Sequence, residues 1–151
     1  MDGSIAGIEG LKHAVGSNLG YSEWLIIDQA RIDRFAEVTG DSQWIHVDPV
    51  RASGSPFGAP VAHGFLIVSV IPMLVRQIMR VESVSMAINY GLNRVRFPSP
   101  VRVDSRIRAG ATILSVDVVE RGATVVSAIS IEIEGASKPA CVAEVVSLYV
   151  P

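Results

Sequence analysis

"GFLIVSVIPMLV", residues 64–75, is the longest apolar run in the chain. Ser69 is its single polar side chain before Arg76. A bilayer-spanning helix needs about 20 such residues, so this run is too short to cross a membrane, and it contains Pro72. It is apolar nearly all round, which marks a helix buried on most sides. The run therefore reads as a core helix from about 64 to 80, and the rest of the chain has to cover it.

Downstream, the pattern changes to that of strands. "SVSMAINYG" and "RVRF" are short strand candidates. In "RVDSRIRAGATILSVDVVE", Ile107, Ala109, Ala111 and Ile113 alternate, then Leu114, Val116 and Val118 follow in the opposite phase. A β-bulge near Ile113 accounts for the switch. Glu120-Arg121-Gly122 reads as a hairpin turn between this strand and "ATVVSAISIEIEG". "ACVAEVVSLYV" closes the chain as a further β-rich run.

Upstream, "IIDQARIDRFAEVTG" reads as a helix. Asp28 is its expected N-cap, with Ile27 and Ile32 spaced as a hydrophobic staple. Gly40 suits the left-handed residue that ends it. A loop, "VDPVRASGSPFGAPVA", follows, with one helical turn expected after Asp48-Pro49. Helices first and three long strands after them imply an α+β class. An antiparallel sheet would wrap the apolar helix.

With 151 residues, the chain is expected to form a single domain over 1–151. Only 19% of residues are charged, too few to cover a monomer's surface generously, so a buried subunit interface is expected. A net charge of −2 gives no general attraction to nucleic acid. The lone Cys141 allows no internal disulfide and no metal cluster built on cysteines, which fits a reducing, cytoplasmic setting. "MDGSIAGIEGLKH" lacks the pattern of a signal peptide.

Several residues could carry chemistry. Asp41 and His46, in "GDSQWIHVDP", are five residues apart on a loop that follows a capped helix end. A carboxylate and an imidazole so placed can share one water, although on spacing alone an ordinary surface loop is the commoner reading. Gly64, in "VAHGF", opens the helix, where free N–H groups and the helix dipole favour developing negative charge. Alternatively, glycine only eases a tight entry. Ser69 either bonds back to a carbonyl one turn earlier or supports the site. His63 reads as shaping the helix entry, and His13 as solvated. Asn89 and Tyr90 read as structural first and pocket-lining second. Arg94, Arg96, Arg102, Arg106 and Arg108 form a basic stretch, either a solvated face or a contact for ligand phosphates.

Taken together and in order, "TGDSQWIHVDP", "FGAPVAHGFLIVS" and "INYGLNRVRFPSPV" resemble the MaoC-like family of (R)-specific enoyl-CoA hydratases, in its nodulation-protein-N-like variety. The resemblance covers the chain from about Gly16 onward. It implies a hot-dog fold and a homodimer whose sheets join. It implies that Asp41 and His46 are the catalytic dyad, that the Gly64 N–H polarises the thioester carbonyl, and that Ser69 supports the dyad by hydrogen bonding. Many relatives carry Asn-Pro where this chain has Gln43 and Trp44. Gln43 is therefore a further supporting candidate, and the departure bears on chain-length preference.

The expected reaction adds water to a trans-2-enoyl thioester of coenzyme A, giving the (R)-3-hydroxyacyl thioester. Asp41 would take the water's proton and His46, as the imidazolium, would protonate C2, with the opposite assignment equally open. No metal or other cofactor is expected, since hydration transfers no electrons. Trp44, Phe57, Phe65 and Leu66 are candidate walls for the acyl tail. A hot-dog thioesterase and a non-catalytic acyl-binding partner subunit are the rival readings.

Overall fold

The computed structural model describes residues 3–151. β1 (Ser4–Ile5) and α1 (Gly7–His13) lead into β2 (Asn18–Tyr21) and β3 (Leu25–Ile27). Three helical segments follow: α2 (Gln29–Thr39), α3 (Trp44–Val47) and α4 (Pro49–Ser53). The apolar run forms α5 (Gly64–Ser69) and α6 (Ile71–Val75). β4 (Arg80–Val81) pairs in parallel with β1. The long strands are β5 (Met86–Arg96), β6 (Ser105–Val119), β7 (Gly122–Ile133) and β8 (Cys141–Val150).

One six-stranded antiparallel sheet has the order β2-β6-β7-β8-β5, with β3 also paired to β6. Its inner face packs on α5 and α6 through Ile107, Ala109, Ala111 and Ile113 of β6 and Val125, Ile129 and Ile131 of β7. Leu66, Ile67, Ile71 and Leu74 meet them from the helical side. This is a hot-dog fold. Five of those strand residues bury completely and Ala111 and Ile129 nearly so, and the alanines on β6 let the helical path lie close to the sheet.

Several sequence expectations hold. The Asp28 side chain accepts the Arg31 N–H at 2.8 Å, and Gly40 ends α2 at φ 77°. Ile27 and Ile32 are both fully buried in one core. The β6–β7 register shifts between Ile113 and Ser115, leaving Leu114 as the extra, exposed residue of a bulge. The turn comes at Glu120-Arg121, and Val119 pairs with Gly122. Asp48 caps α4 by accepting the Arg51 N–H at 3.0 Å.

Other expectations need correction. The apolar helix does not run from 64 to 80: it is interrupted at Val70 and ends at Val75. Pro72 has no N–H to give to the Val68 carbonyl, so the ladder is broken there. The path still continues, because Leu74 N–H reaches the Val70 carbonyl at 3.1 Å. Nor is the helix covered on all sides, since Phe65 is 73% exposed and Met73 and Arg76 are also open. The two short strands expected between 83 and 96 are the single strand β5. Register shifts at Asn89/Gly91 and Leu92/Arg94 break its alternation, so the pattern reads as two pieces. β2, β3 and α1 are too short and too mixed in composition to register as periodic elements.

Candidate active site

The site is assembled where the end of α2 meets the start of α5. Gly40 turns the chain, its N–H bonding to the Ala36 carbonyl at 2.8 Å, and Asp41 follows on the surface. The next residues wind into α3, a single turn missed in the sequence. This turn carries His46 inward, leaving it 7% exposed. Val61 clamps it from the segment before α5. The Val61 N–H donates to the Ile45 carbonyl at 3.0 Å, and the Val61 carbonyl accepts from His46 Nδ1 at 2.6 Å. Gln29 Nε2 adds a third tie, to the His46 carbonyl at 2.8 Å.

Because a carbonyl only accepts, Nδ1 of His46 carries the hydrogen, and in the neutral ring Nε2 holds the lone pair. Burial pushes the His46 pKa below its ordinary value. The Val61 bond opposes this, the neighbouring His63 lowers it further, and Asp41 raises it. The net direction favours a neutral imidazole at rest.

His63 has a larger part than its sequence position implied. It is 2% exposed and stacks on His46, with ring centroids 3.7 Å apart and planes 23° from parallel. Its Nε2 donates to the backbone carbonyl of Asp41 at 2.9 Å. The same ring thus touches one member of the pair and holds the backbone of the other. Its Nδ1 is buried without a hydrogen-bond partner among the described residues. The available signal was its place, immediately before Gly64 at the N-cap of α5, where it makes no side-chain cap.

Asp41, His46 and His63 each offer one polar atom, and these lie within 4.8 Å of one another. One water with two hydrogen bonds of about 2.8 Å spans such a gap. A metal ion fits less well. It needs imidazole lone pairs converging at about 2.0 Å, whereas stacked rings direct their in-plane lone pairs side by side. Cys141 is buried in the sheet away from this group, its thiol pushed up to about 11 by burial.

The remaining candidates divide. Gly64 is the first residue of α5, and a Cβ built there would stand 2.9 Å from Cε2 of Phe97. Gly64, Phe57 and Phe97 line one open cleft of about 310 Å³. Ser69 donates to the Phe65 carbonyl at 2.6 Å, the back-bond of an ordinary helical serine, and bonds to neither Asp41 nor His46. Gln43 is exposed and makes no side-chain cap to α3. Trp44 lies under the Arg51 guanidinium, 4.3 Å from the ring centre. Leu66 is core and Phe65 projects outward, so the four proposed tail-wall residues do not form one wall. Two of the five arginines of the basic stretch are held in surface ion pairs. Arg106 pairs with Glu134 and Arg108 with Glu132, and Arg108 also stacks on Tyr21 and Trp24.

Comparison with known proteins gives the family. Residues 11–134 match the family model for the MaoC like domain. The chain is 49% identical over 142 residues to 3-hydroxyacyl-thioester dehydratase Z of Mycobacterium tuberculosis, covering 93% of each chain. It is 44% identical over 138 residues to Nodulation protein N of Rhizobium meliloti, covering 89% of this chain and 85% of that one. The fold matches the (R)-hydratase from A. caviae involved in PHA biosynthesis with a TM-score of 0.74 at 23% identity, over 91% of this chain and 96% of that one. The chain therefore belongs to the MaoC-like dehydratase family, a family of hydro-lyases.

Proposed function

We propose that the protein is an (R)-specific hydratase/dehydratase that interconverts trans-2-enoyl and (R)-3-hydroxyacyl thioesters of coenzyme A. The observation that carries this reading is the pairing of Asp41 with a buried, neutral-leaning His46 across a gap that one water spans, at the mouth of the apolar helix. The name of the M. tuberculosis relative, 3-hydroxyacyl-thioester dehydratase Z, supports the thioester chemistry.

In the hydration direction, water sits between Asp41 and Nε2 of His46. Its oxygen attacks C3 as Nε2 accepts a proton. The C2=C3 electrons move toward the thioester oxygen, where the Gly64 N–H stabilises the growing charge. The imidazolium then returns its proton to C2 on the same face, and the carbonyl re-forms. Asp41 orients the water and balances the transient imidazolium. A His46 that starts neutral begins as the acceptor and then serves as the donor, so in this scheme it takes both proton roles, where the sequence reading divided them between Asp41 and His46. No metal or redox cofactor enters this scheme.

The active form in this reading is a homodimer. β5 lies at one end of the sheet, with its far side unpaired among the described strands. Met86, Ile88, Tyr90 and Leu92 on it are exposed, Tyr90 by 72%. Phe65 and Met73 add an open apolar stripe on the helix. Pairing of β5 with its copy would extend the sheet and cover these residues, and would remove an aggregation-prone edge.

The test is to offer purified protein a series of trans-2-enoyl-CoA chain lengths. Loss of the conjugated enoyl absorbance is followed, and product chirality determined. Hydration to the (R) alcohol is expected. Inactivity on every length, an (S) product or release of free thiol would each overturn the proposal.

A further inference from the structure

His63 is the most deeply buried polar side chain among the described residues, and packing alone does not explain it. Its ring is wedged between those of His46 and Phe35, with centroids 3.7 and 5.0 Å away. Its Nδ1 is the one buried side-chain nitrogen or oxygen left without a hydrogen-bond partner among the described residues. A phenylalanine would fill the same slot with no nitrogen to desolvate, and an unpaired buried group calls for an explanation. What phenylalanine cannot supply is the bond at the other nitrogen. His63 Nε2 donates to the Asp41 carbonyl at 2.9 Å, reaching an exposed residue 22 positions away whose carbonyl water could otherwise serve. That bond also places the ring's hydrogen on Nε2, because a carbonyl only accepts.

The two ends of the bond differ in firmness. On the His63 side, the Val61 N–H donates to the Ile45 carbonyl at 3.0 Å and the Ala62 N–H to the Val101 carbonyl at 2.8 Å, while the His63 carbonyl accepts the Ile67 N–H at 3.2 Å. Asp41, by contrast, lies on a loop past the end of α2, and its own N–H has only Thr39 Oγ1, at 3.4 Å. The anchored imidazole therefore fixes the loop, and not the reverse. Because the same ring lies on His46, the bond also fixes where Asp41 stands relative to its partner. We infer that His63 is a positioning residue, which holds the Asp41 backbone through Nε2–H so that the carboxylate and the His46 imidazole meet one water. The inference deepens the proposed hydration and rests on it. His63 touches no reacting atom in this scheme. A misplacement of about 1 Å can cost as much as a hundredfold in rate, so loss of the tie belongs in kcat.

The test compares His63→Phe, which keeps a ring and removes the donor, with His63→Gln, whose amide N–H can stand near the place of Nε2. On the best substrate of the trans-2-enoyl-CoA series, His63→Phe is expected to lose about tenfold or more in kcat, with KM and Tm near wild type. His63→Gln should recover most of that loss. Wild-type kcat in His63→Phe, or a glutamine variant no better than the phenylalanine one, would overturn the inference. So would losses of kcat that simply follow losses of Tm, since His63 would then be a packing residue. Backbone amide relaxation at Asp41 and Ser42, measured by NMR on the ligand-free protein, is a readout that needs no substrate. Motion there should increase in His63→Phe and return toward wild type in His63→Gln. If the wild-type protein hydrates no enoyl-CoA, the reaction is wrong and the relaxation alone decides about His63: an unchanged loop in His63→Phe sinks the inference.

Discussion

Gly64→Ala separates the two readings of that glycine. An alanine Cβ would stand 2.9, 3.0 and 3.1 Å from three carbons of the Phe97 ring. Ordinary carbon contacts lie at about 3.5–4.0 Å, so the ring must retreat by roughly half an ångström. Phe97 is half-open to solvent and has room to do so. The overpacking cost therefore belongs at the low end of the usual range, about 1 kcal/mol. For a chain of this length that is a fall of about 2–4 °C in Tm. Turnover should suffer far more. A methyl group beside the N–H obstructs the thioester oxygen, and losing one oxyanion donor costs about a hundredfold or more in kcat. A second substitution, Phe97→Leu, relieves the contact. In the double variant Tm should recover while kcat stays low. If kcat recovers together with Tm, glycine is there for packing and the oxyanion role is refuted.

Asp41→Asn and His46→Ala should each lower kcat by about a hundredfold or more with the fold retained, and near wild-type turnover in either would remove the dyad. For pH, folding lowers the His46 pKa, so protonation favours the unfolded chain. Stability from this group is present above the unfolded value of about 6.5 and is lost as pH falls through the lower folded value. The acid limb of kcat/KM should accordingly have its midpoint below 6.5. His63→Phe keeps a ring against His46 but removes the imidazole that holds the His46 pKa down, and should move that limb upward. A limb that stays in place would show that the stacked ring does not tune His46. At Gly122, where φ is 146°, an added Cβ would fall 1.9 Å from the Tyr149 carbonyl oxygen. Gly122→Ala should therefore destabilise by more than about 3 kcal/mol, read by urea melts, because both strain and backbone collision must be relieved.

The sequence by itself determined the elements whose physics is local. Asp28 and Gly40 bound α2 because a capping carboxylate and a left-handed glycine act within one turn. The phase switch at Ile113 announced a bulge because strand period is two. The apolar run at 64–75 required a cover, and the alternating strands after it could only supply one as a sheet. The pairing of Asp41 with His46 and the place of Gly64 were also legible, through the resemblance of three ordered motifs.

Tertiary structure decided what depends on distant partners. His63 entered the site only when α5 brought its ring onto His46, and no spacing rule encodes a stack between residues 17 apart. His46 became neutral-leaning because the fold buried it and stacked His63 on it, against the opposing bond from Nδ1 to Val61. Ser69 turned back to Phe65, because a hydroxyl on a helix has a carbonyl within reach before any other partner. The exposed stripe on the apolar helix likewise has no sequence signature. Which face of an element stays open is set by what packs against it, and the three-dimensional arrangement alone supplies that.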